Sequence, residues 1–291
     1  MSGYKNFAVI GAGIIGNYIV QQLLKDKAAE IVNEVVVLTR QGSKTTVQGD
    51  AKVIQVDYSN DGSIKHALTG VDVVISTVAI AALDVQGKIA AAGKEAGVKL
   101  FVPSEFGGIT TEGGSEWRLG AKAKANFQGQ LKALGVPFAA FYTGPFADFI
   151  WKPFVNLDVT SGKVSVGGDG NTQITFTSRP DIARYVSYVL TRLPPEQLKN
   201  RGFSIAGDNK SFNEIFKEYE EKTGKKLEVT YIPVSELDAK LAANPEDLSV
   251  VMHSYLLTMG SFQRTDNHLY PDWNPSPVID NLPVGSMRPE N

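Results

Sequence analysis

Phe7-Ala-Val-Ile-Gly-Ala-Gly-Ile-Ile-Gly16 is an apolar strand candidate that runs straight into G-x-G-x-x-G, and a helix-forming stretch at 17–27 follows it. Strand, glycines and helix in this order let the pyrophosphate of a dinucleotide rest on a helix N-terminus. Unpaired N–H groups and the helix dipole favour an anion there. Gly11 permits the tight turn, Gly13 lets the backbone approach the phosphates, and Gly16 lets the helix pack close to the strand. Ile14 and Ile15 lie on the same loop. Three glycines alone occur in other turns, so the flanking elements carry the reading of a nucleotide-binding βαβ unit.

Outward from this stretch, strand-like and helix-like segments alternate. Residues 35–38, 52–55, 71–77, 100–103 and 138–143 are further strand candidates, mostly continuous runs of Val, Ile and Phe. Continuous apolar runs suit a parallel sheet buried on both faces. Helices fit at 61–69, 85–97 and 115–134, with Asp84 as the expected N-cap of the segment that begins at 85. This rhythm predicts an α/β fold with a doubly wound parallel (Rossmann) sheet.

The second half changes character. Residues 151–157 read as helical, and the glycine-rich 162–170 reads as a hairpin between Val164-Ser-Val166 and Thr172-Gln-Ile-Thr-Phe176. Helices are expected from Asp181 to Leu193, from a Ser211 cap to Thr223, and over most of 235–260, with short strands at 203–205 and 229–232. From Tyr270 a proline-rich tail is expected to run over the surface. The expected division is a dinucleotide-binding domain, 1–150, and a smaller α+β substrate lobe, 151–291, some of whose segments could return to the sheet.

Composition excludes several function classes. The 291 residues are 43% hydrophobic and 21% charged with a net charge of −2, which gives no footprint for a nucleic-acid partner. The absence of cysteine removes disulfides, thiolate metal sites and a cysteine nucleophile, and fits a cytoplasmic protein. Residues 7–15 are too short and glycine-broken for a signal peptide, and no run reaches the roughly 20 apolar residues of a membrane span. His66, His253 and His268 are scattered, so no metal is expected. The oligomeric state is open.

The second strand ends Val37-Leu38-Thr39-Arg40. NAD-binding proteins usually place an acidic residue about 20 positions beyond the glycines, for the ribose hydroxyls. Here Arg40 stands at that place, with Lys44 four residues on. A guanidinium can stack on adenine and pair with a 2′-phosphate, which points to NADPH. Ligands of doubly wound sheets lie outside the carboxyl ends of the strands. Asp57, after the third strand, and Ser76, Thr77 and Val78, ending the fourth, therefore face the cofactor; Asp57 could equally cap the next helix.

The fifth strand runs into Phe101-Val-Pro-Ser-Glu-Phe-Gly107. With the preceding segment 86–99, Gly135-Val-Pro-Phe-Ala-Ala-Phe-Tyr142, and the later Phe212-Asn-Glu and Tyr219-Glu-Glu-Lys-Thr-Gly224, it resembles the isoflavone reductase, pinoresinol–lariciresinol reductase and phenylcoumaran benzylic ether reductase group. This group belongs to the NmrA-like, atypical short-chain dehydrogenases, and the resemblance extends from Phe7 to about Ile232. It implies an NADPH-dependent reductase acting on an activated carbon of a small aromatic or polyketide-like metabolite. The group's lysine lies eleven residues before the glycine of its Gly-Ile-Pro strand, which places it at Lys124. The resemblance implies that Lys124 contacts the nicotinamide ribose and moves the proton. Lys122, two residues away on the helix, faces elsewhere and is expected to be solvent-exposed. Consistently, none of the ten tyrosines is followed four residues later by lysine, so the usual Tyr-x-x-x-Lys pair is missing.

Pro103, Ser104 and Phe106 follow the fifth strand at the cofactor edge. Phe106, Tyr142, Phe146 and Phe149 are candidates to line a flat apolar substrate pocket, alongside Trp151 and Phe154; packing of the core is the alternative for each. The chain departs from the plant pattern at Pro145, where the group usually has Asn, and at Gly108-Ile-Thr-Thr-Glu-Gly-Gly114. These departures suggest a fungal-type relative. Two other readings stay open: an NmrA-like NADP redox sensor that binds a regulatory protein, and a non-redox cyclase or isomerase on the same fold.

Overall fold

The structure is a computed structural model that describes residues 3–43, 47, 49–111 and 120–283. Two compact units emerge: Met1–Tyr142 with Ile182–Phe203 and Leu269–Pro271, and Thr143–Asp181 with Ser204–His268 and Asp272–Asn291. The chain thus leaves the first unit after Tyr142 and re-enters it at Ile182 and at Leu269.

The first unit is a Rossmann-type α/β layer. Its strands β1 (Asn6–Ile10), β2 (Glu34–Arg40), β3 (Lys52–Val56), β4 (Val73–Ser76) and β5 (Leu100–Val102) form one sheet in the order 3-2-1-4-5. Every neighbouring pair is parallel; Phe7 lies between Val35 and Val73. A parallel bridge from Phe101 to Phe138 leads on to β6 (Ala139–Tyr142), beside which lies the strand Arg201–Ser204. The apolar runs have the expected cause: β1, β4 and β5 are buried along nearly their whole length. β3 is the edge strand, and its Lys52, Val53 and Gln55 are exposed. The helices are α1 (Gly16–Ala28), α2 (Asp61–Ala67), α3 (Val85–Ala96), α4 (Ala121–Leu134) and, from Ile182 onward, the expected later helix α5 (Arg179–Arg192). The expected 115–119 lie outside the described residues.

Asp84 does not cap α3. Its backbone is already helical, φ −62° and ψ −29°, and its side chain accepts no capping bond, because a short 3-10 turn, Ile80–Ala82, leads directly into the helix. α2 is capped by Asn60, whose side chain accepts from the Ser63 N–H. Asp57 instead accepts bonds from the N–H and hydroxyl of Ser59, at 2.9 and 2.6 Å.

The second unit corrects three local readings. Lys163–Gly167 and Ile174–Phe176 do not form a hairpin: the first pairs in parallel with Glu228–Ile232, and the second antiparallel with Asp208–Lys210. The expected helix at 151–157 is a single 3-10 turn, Pro153–Val155, stopped by Asn156 at φ +53°. The tail is not merely superficial: Val278, Ile279 and Leu282 are buried in a core with Trp151, Phe176, Phe212 and Tyr219. The expected helices are present as Phe212–Thr223, with a full capping box from Ser211 and Glu214, Val234–Ala243 and Leu248–Met259.

Candidate active site

The carboxyl ends of the strands carry the site. Gly11, at φ +86°, turns the chain after β1. A Cβ at Gly16 would stand 2.0 Å from the Gly11 carbonyl oxygen and 2.3 Å from Thr77 Oγ1, so only glycine fits there. Thr77 closes the same corner from β4, its hydroxyl donating to the carbonyls of Ile10, at 3.1 Å, and Gly11. Gly13, in contrast, has no atom within 4 Å of a Cβ position, so the space over the loop is open. The N-terminus of α1 has no side-chain cap and no acidic residue in its first turn. A helix start without a side-chain cap, open space over Gly13 and no competing carboxylate in the first turn fit the pyrophosphate of a dinucleotide.

Ile14 projects into solvent and Ile15 is buried. Arg40 is exposed at the end of β2, aligned with Val56 of β3, and its side chain makes no hydrogen bond or ion pair to another described residue. Lys44 lies outside the described residues. Asp57 is half-buried, and its two bonds from Ser59 hold its carboxyl below the usual range. Ser76 is fully buried, with no partner for its hydroxyl among the described residues. Ser104 ties the fifth strand to the fourth: its hydroxyl donates to the Val78 carbonyl at 2.9 Å, and its N–H donates to Gln86 Oε1 at 2.9 Å. Pro103 is buried beside it.

Lys124 meets this edge from α4. Phe127 and Leu131 bury α4 against the first unit's core, and Lys124 and Gln128, one helical turn apart, share an adjacent face. The Lys124 ammonium donates to the main-chain carbonyl of Glu105 at 2.6 Å. Phe106, next in the chain, sits at φ +40°, a conformation that costs a side-chain-bearing residue about 1–3 kcal/mol. Its N–H donates to the Phe141 carbonyl at 2.9 Å, and its ring stacks on Phe141 with an interplanar angle of 5°. Backbone strain thus coincides with the carbonyl that receives the lysine. Lys122 is exposed, as expected.

The residue the sequence reading passed over is Glu105. It is 2% exposed, and its carboxylate accepts from Gln128 Nε2 at 2.7 Å and from the Thr110 hydroxyl at 3.1 Å. Gln128 Nε2 also donates to the Tyr142 hydroxyl at 3.0 Å. Burial pushes the Lys124 amine below the ordinary lysine range, against an upward pull from Glu105. Burial pushes Glu105 up, against Lys124, Gln128 and Thr110, and raises the Tyr142 phenol, which Glu105 raises further. The signal available in the sequence was the i, i+4 spacing of Lys124 and Gln128, two polar side chains on a face that meets the Ser-Glu-Phe turn.

Among the aromatic candidates, Phe106 and Tyr142 join Lys124 in the first unit. Phe146 and Phe149 belong to the second. There Phe149 lies under the Arg179 guanidinium, 4.9 Å from ring centroid to Cζ, with the Lys152 ammonium 5.4 Å from the same centroid. Asp148 fixes Arg179 through its N–H and Nε at 3.0 and 2.9 Å. Phe146 is half-buried and bridges to Thr177. Trp151 is a core residue, its indole N–H donating to the Ala147 carbonyl at 2.7 Å, whereas Phe154 is exposed.

The NmrA-like family profile matches residues 4–283. The chain belongs to the NmrA-like family. This NmrA-like chain is 31% identical over 268 residues to the isoflavone reductase homolog P3 of Arabidopsis thaliana, covering 85% of this chain and 84% of the relative. It is also 31% identical over 294 residues to the phenylcoumaran benzylic ether reductase POP1 of Populus trichocarpa, covering 90% and 92%. The solved structure of AtPrR2 with NADP+ and (+)pinoresinol aligns with a TM-score of 0.79 at 25% identity, over 96% of this chain and 98% of that one. The resemblance drawn from Pro103–Gly107 is thereby confirmed: within the NmrA-like family, the chain falls in the isoflavone reductase-like group.

Proposed function

We propose that this protein is an NADPH-dependent reductase that transfers hydride to an activated carbon of a small aromatic metabolite of phenylpropanoid type, with Lys124 moving the proton. The observation that carries the reading is the meeting, at one edge of the sheet, of an open glycine loop and a desolvated lysine amine. Gly11, Gly13 and Gly16 with the first turn of α1 would hold the pyrophosphate, Arg40 and Lys44 the 2′-phosphate, and Phe106 with Pro103 and Ser104 would border the nicotinamide. When bound, NADPH supplies the hydride. Lys124 holds its proton at an amine whose affinity is lowered by burial, so the side chain gives up that proton more readily than an ordinary lysine. Phe106 and Tyr142 are the proposed substrate contacts of the first unit, and a cytoplasmic location belongs to the same proposal.

The reading is tested by following NADPH oxidation with (+)-pinoresinol and phenylcoumaran benzylic ethers as acceptors. It expects stoichiometric NADPH consumption with at least one of them. Product formed without NADPH consumption would replace it with an isomerase or cyclase. Binding of NADPH with no turnover of any acceptor, together with a protein partner that responds to the NADP redox state, would replace it with a sensor.

A further inference from the structure

Glu105 is held at both ends. Its main-chain carbonyl takes the Lys124 ammonium at 2.6 Å, and its carboxylate takes Gln128 at 2.7 Å and Thr110 at 3.1 Å. Gln128 and Lys124 stand one turn apart on α4, so one helix face grips one residue twice. A buried carboxylate is costly to keep without partners, and this one has three donor contacts from two side chains. Gln128 continues to the Tyr142 hydroxyl on β6, which joins the two strand ends that border the site. A solvated helix lysine would need none of this.

We propose that Glu105 is a positioning residue for Lys124: its carbonyl seats the amine, and its carboxylate, locked by Gln128 and Thr110, keeps a negative charge on the same residue. The proposal rests on the reading of Lys124 in proton transfer. The groups facing the pair come from three elements: Lys124 and Gln128 on α4, Thr110 in the segment after β5, and Tyr142 on β6. Glu105 is the charged group that acts on Lys124 among the described residues, and it stabilises the ammonium. Removing its charge leaves burial unopposed and makes the amine give up its proton at lower pH. Removing Gln128 makes the carboxylate easier to protonate, and so acts in the same direction with a smaller effect.

The test is a pH titration of the Lys124 side-chain signal by lysine-selective NMR in the full chain loaded with NADP+, assigned by its loss in Lys124→Met. Glu105→Gln, isosteric but uncharged, is expected to lower the Lys124 midpoint by about one unit or more, and Gln128→Met by less. Should Glu105→Gln fail to fold, Gln128→Met carries the same test. An unmoved midpoint in the folded variants overturns the proposal, because a merely structural Glu105 would change stability and leave the titration in place. Turnover of (+)-pinoresinol by Lys124→Met separates the two readings. If that variant loses turnover while the midpoint stays put, Glu105 alone is misassigned. If it keeps full turnover while the midpoint moves, the coupling is supported and the role of Lys124 falls.

Discussion

The two ends of the central sheet are built from the same strands and treat charge in opposite ways. At the amino ends, Asp72 accepts the N–H groups of Lys5 and Asn6 at 3.1 and 2.9 Å and the Lys99 ammonium at 2.6 Å, tying the starts of β1, β4 and β5 together. At the carboxyl ends, a lysine amine is desolvated, Phe106 is strained, and the glycine loop is left open. One end spends its polar groups on holding the sheet together. The other keeps them in states that cost stability, and such states persist where a ligand or a reaction uses them.

If that contrast is right, substitutions at the two ends should fail differently. The largest effect is expected at Lys124: Lys124→Met lowers turnover by roughly 10²–10⁴-fold while the NADPH dissociation constant, measured by calorimetry, stays close to the wild-type value. Undiminished turnover would remove Lys124 from the chemistry. Next come two glycines of the same motif, Gly13 and Gly16. Gly16→Ala must push into Gly11 and Thr77 and is expected to destabilise the protein by about 1–3 kcal/mol in urea melts, as overpacking does. Gly13→Ala meets no atom of the protein, so the melt should barely move while NADPH affinity drops by about tenfold or more. Equal behaviour of the two would mean that the space over the loop is not where the pyrophosphate sits.

At the opposite end, Asp72→Asn is expected to lower stability by about 1–3 kcal/mol and leave turnover per folded molecule unchanged. Burial pushes the Asp72 carboxyl up, but Lys99, Asn6 and Lys5 outweigh it and hold it below the usual carboxylate range. A group whose folded value lies below its unfolded value stabilises the fold above the unfolded range and loses that contribution as pH falls through the folded value. Wild-type stability should therefore decline on acidification more steeply than that of Asp72→Asn, and parallel curves would contradict the assignment. The smallest effect is expected at the exposed Arg40: Arg40→Ala narrows the preference for NADPH over NADH by about tenfold, or ~1.4 kcal/mol, measured by competitive binding. A wild-type protein with no such preference would sink the role given to Arg40.

The same contrast explains what could be read from the sequence. The parallel strands were legible because burial on both faces writes itself as uninterrupted Val, Ile and Phe, and the glycine loop because each glycine answers a steric demand. Partnerships made at long range left no local trace. Val164-Ser-Val166 and Ile174-Thr-Phe176 look like hairpin arms, yet their partners arrive from Glu228–Ile232 and Asp208–Lys210. Asp84 has the right side chain for a cap but the wrong backbone. Glu105 was hidden because a carboxylate in a turn reads as solvated, and only the fold brings Gln128, Thr110 and Tyr142 around it. Lys124 was reached through family resemblance, since a lone lysine on a helix gives no sign of its own burial.

The central claim is that the carboxyl edge of the sheet carries out net hydride transfer, and isotope tracing tests it most directly. NADPH deuterated at nicotinamide C4 would be turned over with the benzylic ether that supports NADPH oxidation, and the product analysed by mass spectrometry and NMR. The account predicts one deuterium on the reduced carbon for each NADP+ formed with one of the two C4 labels, and loss of both in Lys124→Met. Product that carries no deuterium from either label, or that accumulates without NADP+, would contradict it.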